Sequence, residues 1–93
     1  MKVFQSRSFE QRVKKFSKAQ KLELDEQIKN IVEDPATGTE KKGDLRGIYI
    51  HKFKIKTIQY LLAYRVVDEN IELIMIGPHQ NYYRDLKKDI KRV

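Results

Sequence analysis

The pattern of hydrophobic positions is clearest in the second half of the chain, where three apolar runs follow one another. The first covers residues 48–55 and alternates with lysines, the second covers 58–67, and the third covers 71–76. Runs of this length rich in β-branched and aromatic residues predict strands. The polar residues 68–70 predict a tight turn, and Gly77 and Pro78 predict the end of the third strand, since proline lacks a backbone donor. We therefore predict an antiparallel meander.

The first half shows helical spacing after a short strand candidate at residues 2–5. Ser8 is the predicted N-cap of a first helix, because its hydroxyl can accept from the free amides of the first turn. A second helix is predicted from about residue 18 to 33, and Pro35 ends it, since the residue before a proline is disfavoured in the α region. The two apolar stripes recur at helical spacing and are predicted to be core: Phe9, Val13, Phe16, Leu24, Ile28 and Ile31.

These elements predict an α+β fold, in which an N-terminal strand and an α-helical hairpin pack on a small antiparallel sheet, with a short C-terminal helix. A chain of 93 residues predicts a single domain, 1–93. The chain contains no cysteine, and no segment reaches the roughly 18 apolar residues of a membrane span. We therefore expect a cytoplasmic protein with no membrane partner.

The charge distribution is uneven. The chain carries 20 Lys and Arg against 13 Asp and Glu, a net charge of +7, and residues 46–93 hold ten basic and five acidic residues. The positive field therefore belongs to the sheet and the basic C-terminal tail. Such a field favours a polyanion, either a nucleic acid or an acidic protein. The alternative is a solvated basic surface that keeps the protein soluble.

Candidate chemistry gathers at one end of the predicted sheet. Lys52, Lys54 and Lys56 share one face of the first strand by their period of two. His79 and two tyrosines follow the third strand, at the rim of the sheet. Lysines on an exposed strand also prevent edge-to-edge aggregation, which is the competing explanation for them. The sequence contains no motif for nucleotide hydrolysis, zinc chemistry or serine catalysis, and we predict no metal and no cofactor.

Three segments in this order resemble the RelE/ParE superfamily of bacterial type II toxins. They are Leu45-Arg46-Gly47, the strand YLLAYRV at residues 60–66, and the strand end GPHQNYYRDLK at residues 77–87. The resemblance covers nearly the whole chain and is closest to the ParE-like branch. It implies a toxin that is bound by an acidic antitoxin and that acts on one of two cellular targets.

RelE-like members cut mRNA in the ribosomal A site, whereas ParE-like members act on DNA gyrase and are not nucleases. His79 and Tyr83 match the spacing of a GxHxxxF element in RelE-type relatives, so the resemblance implies an endoribonuclease with the ribosome and mRNA as partners. Many relatives carry an arginine in the central strand where this chain has Leu61, and this departure favours gyrase or simple binding.

On the nuclease interpretation, a 2′-hydroxyl attacks the adjacent phosphorus, which requires a base, an acid and cations. Histidine titrates near neutrality and can transfer the protons, while an aromatic ring can stack on a base. The predicted catalytic residues are His79, Tyr83, Lys52 and Lys54. The predicted RNA- and phosphate-binding residues are Arg46, Lys56, Arg65, Tyr82, Arg84 and Lys87.

Structural roles are the alternatives for several of these residues. His79 could only cap the turn after Pro78, and Arg65 could be a solvated strand residue. Tyr60 and Tyr64 could pack beneath the helical hairpin, and the last helix could use Tyr83 as a core contact. Three functions thus remain open at this point: an mRNA-cleaving toxin, a gyrase-binding toxin, and a basic nucleic-acid-binding module.

Overall fold

The computed structural model describes residues 2–91 and contains three helices and five strands within that range. In chain order they are β1 (Val3–Gln5), α1 (Arg7–Val13), α2 (Lys18–Glu33), β2 (Thr39–Glu40), a 3₁₀ turn (Gly43–Leu45), β3 (Tyr49–Ile55), β4 (Ile58–Val67), β5 (Asn70–Pro78) and α3 (Tyr82–Lys91). Arg92, part of the predicted basic tail, lies outside the described residues. Among residues 2–91, no helix has both the length and the apolar character needed to cross a bilayer.

The five strands form one sheet in the order β1-β5-β4-β3-β2. The predicted meander β3-β4-β5 is antiparallel, and β2 extends it at the outer edge of β3. The predicted α+β class is confirmed, but the sheet is mixed rather than antiparallel. β1 pairs with β5 in parallel, with Val3 opposite Ile71. The hairpin of α1 and α2 lies between β1 and the meander in the chain, and a long connection of this kind permits parallel pairing.

Helix α1 begins two residues earlier than predicted, because its N-cap is Ser6 and not Ser8. The Ser6 hydroxyl accepts from the Phe9 amide at 3.1 Å and donates to the carbonyl of Ile74. Ile74 is the extra residue where the β4–β5 register shifts, so its carbonyl is available to a side chain. The Ser8 hydroxyl instead donates to Asp89 of α3, at 2.7 Å. The cap therefore fixes α1 to β5 as well as starting the helix.

Helix α2 follows the predicted limits. Ser17 caps it, and the Gln20 Oε1 accepts a hydrogen bond from the Ser17 amide at 2.7 Å, so two free amides at the helix start are satisfied. The helix ends at Glu33, before Asp34 and Pro35. This turn is tied to β4, since the Tyr64 hydroxyl donates to the Pro35 carbonyl at 2.7 Å.

The sheet is covered on both faces, and each face has its own hydrophobic core. The hairpin α1–α2 packs on one face, and Tyr60 and Tyr64 lie beneath it, which confirms the structural alternative for these two tyrosines. Helix α3 packs on the other face. The apolar residues there come from the 3₁₀ turn, the residue before β3, the three long strands and α3: Leu45, Ile48, Ile50, Leu61, Ala63, Ile74, Met75, Tyr82 and Leu86. Lys52 and Lys54 are exposed on the face of α3.

His51 points to the hairpin side of the sheet and predicts a pH-dependent stability. Its Nε2 donates to the Oε1 of Gln27 on α2 at 2.7 Å, and the imidazole is half-buried, so burial lowers its pKa from the ordinary 6.5. The unfolded chain therefore binds the proton more readily than the folded protein. The contribution of His51 to stability is complete above about pH 6.5 and is lost as the pH falls below that value.

We accordingly expect the urea midpoint of the protein to fall between pH 7.5 and pH 5.5, and His51→Gln to remove much of that fall. Glutamine can still donate to Gln27 but does not titrate. The measurement is urea unfolding of both proteins at the two pH values. An equal fall in the two proteins would show that other groups cause the pH dependence.

Candidate functional site

The candidate site lies at the end of the meander where β5 leads into α3. The strand register places Lys54 opposite Gln59, and the His79 amide donates to the Gln59 carbonyl at 3.2 Å. Lys54, Gln59 and His79 therefore form one row across β3, β4 and the end of β5. Neighbouring strands lie about 4.8 Å apart, so the Cα atoms of Lys54 and His79 are roughly 10 Å apart. A long lysine side chain can cover most of that distance.

The next row on the same face of the sheet, two residues along each strand, contains Lys52, Leu61 and Gly77. Leu61 is fully buried on the α3 face and forms the apolar floor between the lysine and the strand end. Leu61 stands at the position where, by the resemblance noted in the sequence, many relatives carry an arginine. The centre of the site thus carries no strand cation in this chain, and its positive charge comes from the lysines at the edge of the sheet.

His79 is exposed, and its side chain takes no part in the turn that begins at this residue. The turn is made by the backbone, because the Tyr82 amide donates to the His79 carbonyl at 3.2 Å. The imidazole instead meets the ring of Tyr83 edge-on, with 6.4 Å between the ring centroids. Among residues 2–91, the His79 side chain makes no hydrogen bond that would support the alternative of a capping role. The imidazole is accessible to a ligand on the α3 face.

Tyr83 connects His79 to a second group of lysines. The Nζ atom of Lys41 lies 5.1 Å from the centre of the Tyr83 ring, within the range of a cation–π contact. Lys41, Lys42 and Lys87 line a depression of about 310 Å³ beside this ring. Tyr83 is partly buried against the α3 core, so it combines the predicted core contact with an accessible ring.

Tyr82, predicted to stack on RNA, is a core residue, and that prediction is wrong. Only 1% of the residue is exposed, and its hydroxyl donates to the Met75 carbonyl at 2.7 Å. Burial raises the pKa of its phenol. Helical spacing could have shown this, because Tyr82, Leu86 and Ile90 recur every four residues and form the inner face of α3.

The other predicted phosphate-binding residues are dispersed. Arg65 lies four residues from Leu61 along β4, roughly 13 Å away at strand spacing, where it forms an ion pair with Glu72. The structure thus separates Arg65 from His79. Lys56 is exposed in the β3–β4 turn, and Arg46 is exposed after the 3₁₀ turn. Arg84 is exposed on α3, next to Asp85.

Two contributors to the site were absent from the predicted set. Lys41 reaches Tyr83 from the loop before β3, and Gln59 lies between Lys54 and His79. No local pattern in the sequence indicates that Lys41, in the loop before β3, contacts a residue of α3. Together the described residues place one imidazole, one accessible phenol ring and several cations around an apolar floor. Such a surface can hold a phosphate, stack on a base and transfer a proton.

A model of the ParE-like toxins of type II bacterial toxin–antitoxin systems matches residues 3–87. The chain belongs to this family. The matched segment spans 85 of the 93 residues and includes every predicted site residue of this ParE-like toxin. The resemblance seen in the sequence is therefore confirmed. A search of curated protein sequences gave no match.

Solved structures similar to this ParE-like toxin include three of the Escherichia coli toxin RelE. A doubly substituted RelE in the free state has a TM-score of 0.72 at 19% identity, over 99% of this chain and 96% of that one. Isolated RelE has a TM-score of 0.65 at 20% identity, over 94% and 96%. RelE in the intact RelBE toxin–antitoxin complex has a TM-score of 0.65 at 20% identity, over 82% and 93%. At this identity the comparison establishes the fold.

Proposed function

We propose that this ParE-like toxin arrests growth by cutting ribosome-bound mRNA on its α3 face. The observation that carries the proposal is the placement of His79. It is exposed at the strand end, in one row with Lys54, and its imidazole meets the ring of Tyr83. An imidazole, which can accept and donate a proton, thus lies among cations and beside a ring that can stack on a base.

The proposed chemistry is attack of a 2′-hydroxyl on the adjacent phosphorus, with departure of the 5′-oxygen of the next nucleotide. The hydroxyl gives up its proton and the leaving oxygen takes one, and His79 serves one of these transfers. Lys52 and Lys54 hold the phosphate and stabilise the charge that develops on its oxygens. Tyr83 stacks on a base beside the scissile bond, and Lys41 and Lys87 contact neighbouring phosphates.

An acidic antitoxin is the proposed regulator. Residues 46–93 carry a net charge of +5, and the cations of the site lie on one face of the sheet. An anionic segment lying on this face would reduce its self-repulsion and block the RNA at the same time. The RelE structure from Escherichia coli that includes its antitoxin offers a precedent in the same fold. Purification with the product of an adjacent reading frame should give a complex that weakens in high salt.

Inhibition of DNA gyrase is the second candidate function. Two observations favour it: the matched family model is ParE-like, and Leu61 occupies the floor of the site, at the position where many relatives carry an arginine. A gyrase inhibitor would use the same exposed lysines for protein contacts and would not require proton transfer by His79. A third possibility, a module that only binds nucleic acid, requires no toxicity.

Expression of the chain without its antitoxin separates these functions. We expect growth arrest, with incorporation of labelled methionine stopping before incorporation of labelled thymidine, because mRNA cleavage halts translation first. The measurement is pulse-labelling of both precursors during induction. Earlier loss of thymidine incorporation would favour gyrase, and undisturbed growth would contradict both toxin functions.

A further inference from the structure

A second basic surface lies on the other side of the β5 edge from His79. It is an open cleft of about 900 Å³ between the end of α1, the start of α2 and the strand end Gly77–Pro78. The edge is uncovered here because β1 pairs with β5 only as far as Leu73. Basic and amide side chains line the cleft: Gln11, Arg12, Lys14, Lys15 and Gln20. We call it the α1–α2 cleft.

Arg12 marks the boundary between this cleft and the His79 site. Its Nη1 atom lies 3.2 Å from the position that a Cβ atom on Gly77 would occupy, so the guanidinium is packed closely against the backbone of residue 77. Its Nη2 atom is 3.9 Å from the Oδ2 of Asp85 on α3. The guanidinium therefore lies across the β5 edge, between the α1–α2 cleft and the helix that carries Tyr83.

The charge of the cleft is positive and accessible. Among the described residues that line the cleft, Asp89 alone is acidic, and it accepts a hydrogen bond from Ser8. Lys14 and Lys15 are exposed, and the ion pairs found within residues 2–91 involve Arg12, Arg65 and Arg84 rather than these two lysines. Two lysine ammonium groups are thus available to an anion without first breaking an ion pair.

We propose that the α1–α2 cleft holds phosphates of the same RNA strand that crosses His79, an inference that rests on the proposed function. Gly77 and Pro78 form a wall of the cleft and lead directly to His79. Two residues span at most about 7 Å, so this wall of the cleft lies within about 7 Å of the His79 Cα atom. A polynucleotide on His79 carries phosphates on both sides of the scissile bond. One side continues over Lys52 and Lys54, and the other passes Pro78 into the cleft.

The test uses a fluorescent 2′-O-methyl RNA oligonucleotide, which lacks the attacking hydroxyl and so binds without being cut. We expect Lys14→Ala/Lys15→Ala to reduce the slope of log affinity against log salt by about 1.4, because each single-strand phosphate contact contributes about 0.7. Its affinity at 0.1 M salt should fall on the order of tenfold. Both lysines are exposed, and retention of the wild-type thermal midpoint will show that the double variant is folded.

Two matched variants complete the design. Lys21→Ala/Lys29→Ala removes the same charge from exposed positions of α2 outside the cleft and should leave the slope unchanged. Lys14→Arg/Lys15→Arg keeps the charge and should keep the wild-type slope. An unchanged slope in the alanine double variant would overturn the inference, and so would a loss of antitoxin affinity with RNA binding intact. Absence of RNA cleavage by the wild-type protein would instead refute the proposed function. The comparison of salt slopes would still show whether the cleft binds RNA, because the test RNA cannot be cut.

Discussion

Replacing His79 with glutamine should lower the rate of mRNA cleavage by roughly two to four orders of magnitude, the usual contribution of one general acid or base. Glutamine keeps a hydrogen-bonding side chain of similar length but does not titrate near neutrality. The fold should be unaffected, because residue 79 is exposed and the turn before α3 is made by the backbone. The measurement is the single-turnover cleavage rate on ribosome-bound message.

Lys52→Ala provides the comparison for this variant. That lysine is exposed on the same face, and its charge serves RNA and antitoxin alike, so we expect both affinities to fall. His79→Gln should instead leave both affinities close to those of the wild-type protein. Undiminished toxicity of His79→Gln, together with loss of toxicity in Lys52→Ala, would refute the catalytic role of His79 and favour a toxin that acts by binding.

Leu86→Ala should destabilise the protein by roughly 2–5 kcal/mol, the range for truncating a buried leucine in a core. Leu86 is fully buried, and it packs with Tyr82, Leu61 and Met75 between α3 and the sheet. Loss of this contact weakens the docking of the helix that positions Tyr83. The measurement is the free energy of unfolding in urea, and every activity of the variant should fall at temperatures where it begins to unfold.

Lys87→Ala is the matched control, since it truncates the next residue of α3 at an exposed position. Its stability should lie within about 0.5 kcal/mol of the wild-type value. A Leu86→Ala protein as stable as this control would show that α3 does not contribute to the core in solution.

The sequence predicts most of the fold because the decisive signals are local. The predicted turn at residues 68–70 contains the observed turn between β4 and β5, and Pro35 follows the end of α2, so these limits follow from backbone chemistry. The N-cap is Ser6 and not Ser8 because of a contact between residues far apart in the sequence. Both lie before the apolar stripe, and the β5 carbonyl that binds Ser6 is 68 residues away. The parallel pairing of β1 is likewise set by a distant strand.

The site was predicted in part for the same reason. Period two placed Lys52 and Lys54 on one face of β3, and the rim position of His79 followed from Pro78. The apolar runs of β4 and β5 are buried on both sides, so alternation could not reveal that α3 covers one face. Lys41 reaches the site through tertiary packing, which no spacing in the sequence encodes.

Primer extension on ribosome-bound message is the most direct test of the proposed function. Purified toxin added to translating ribosomes should produce discrete cuts at codons in the A site, and these cuts should be absent with His79→Gln and suppressed by the antitoxin. The parallel reaction is gyrase supercoiling with the same preparation, which should proceed unchanged. Inhibited supercoiling with intact message would contradict the account and identify this chain as a gyrase-directed toxin.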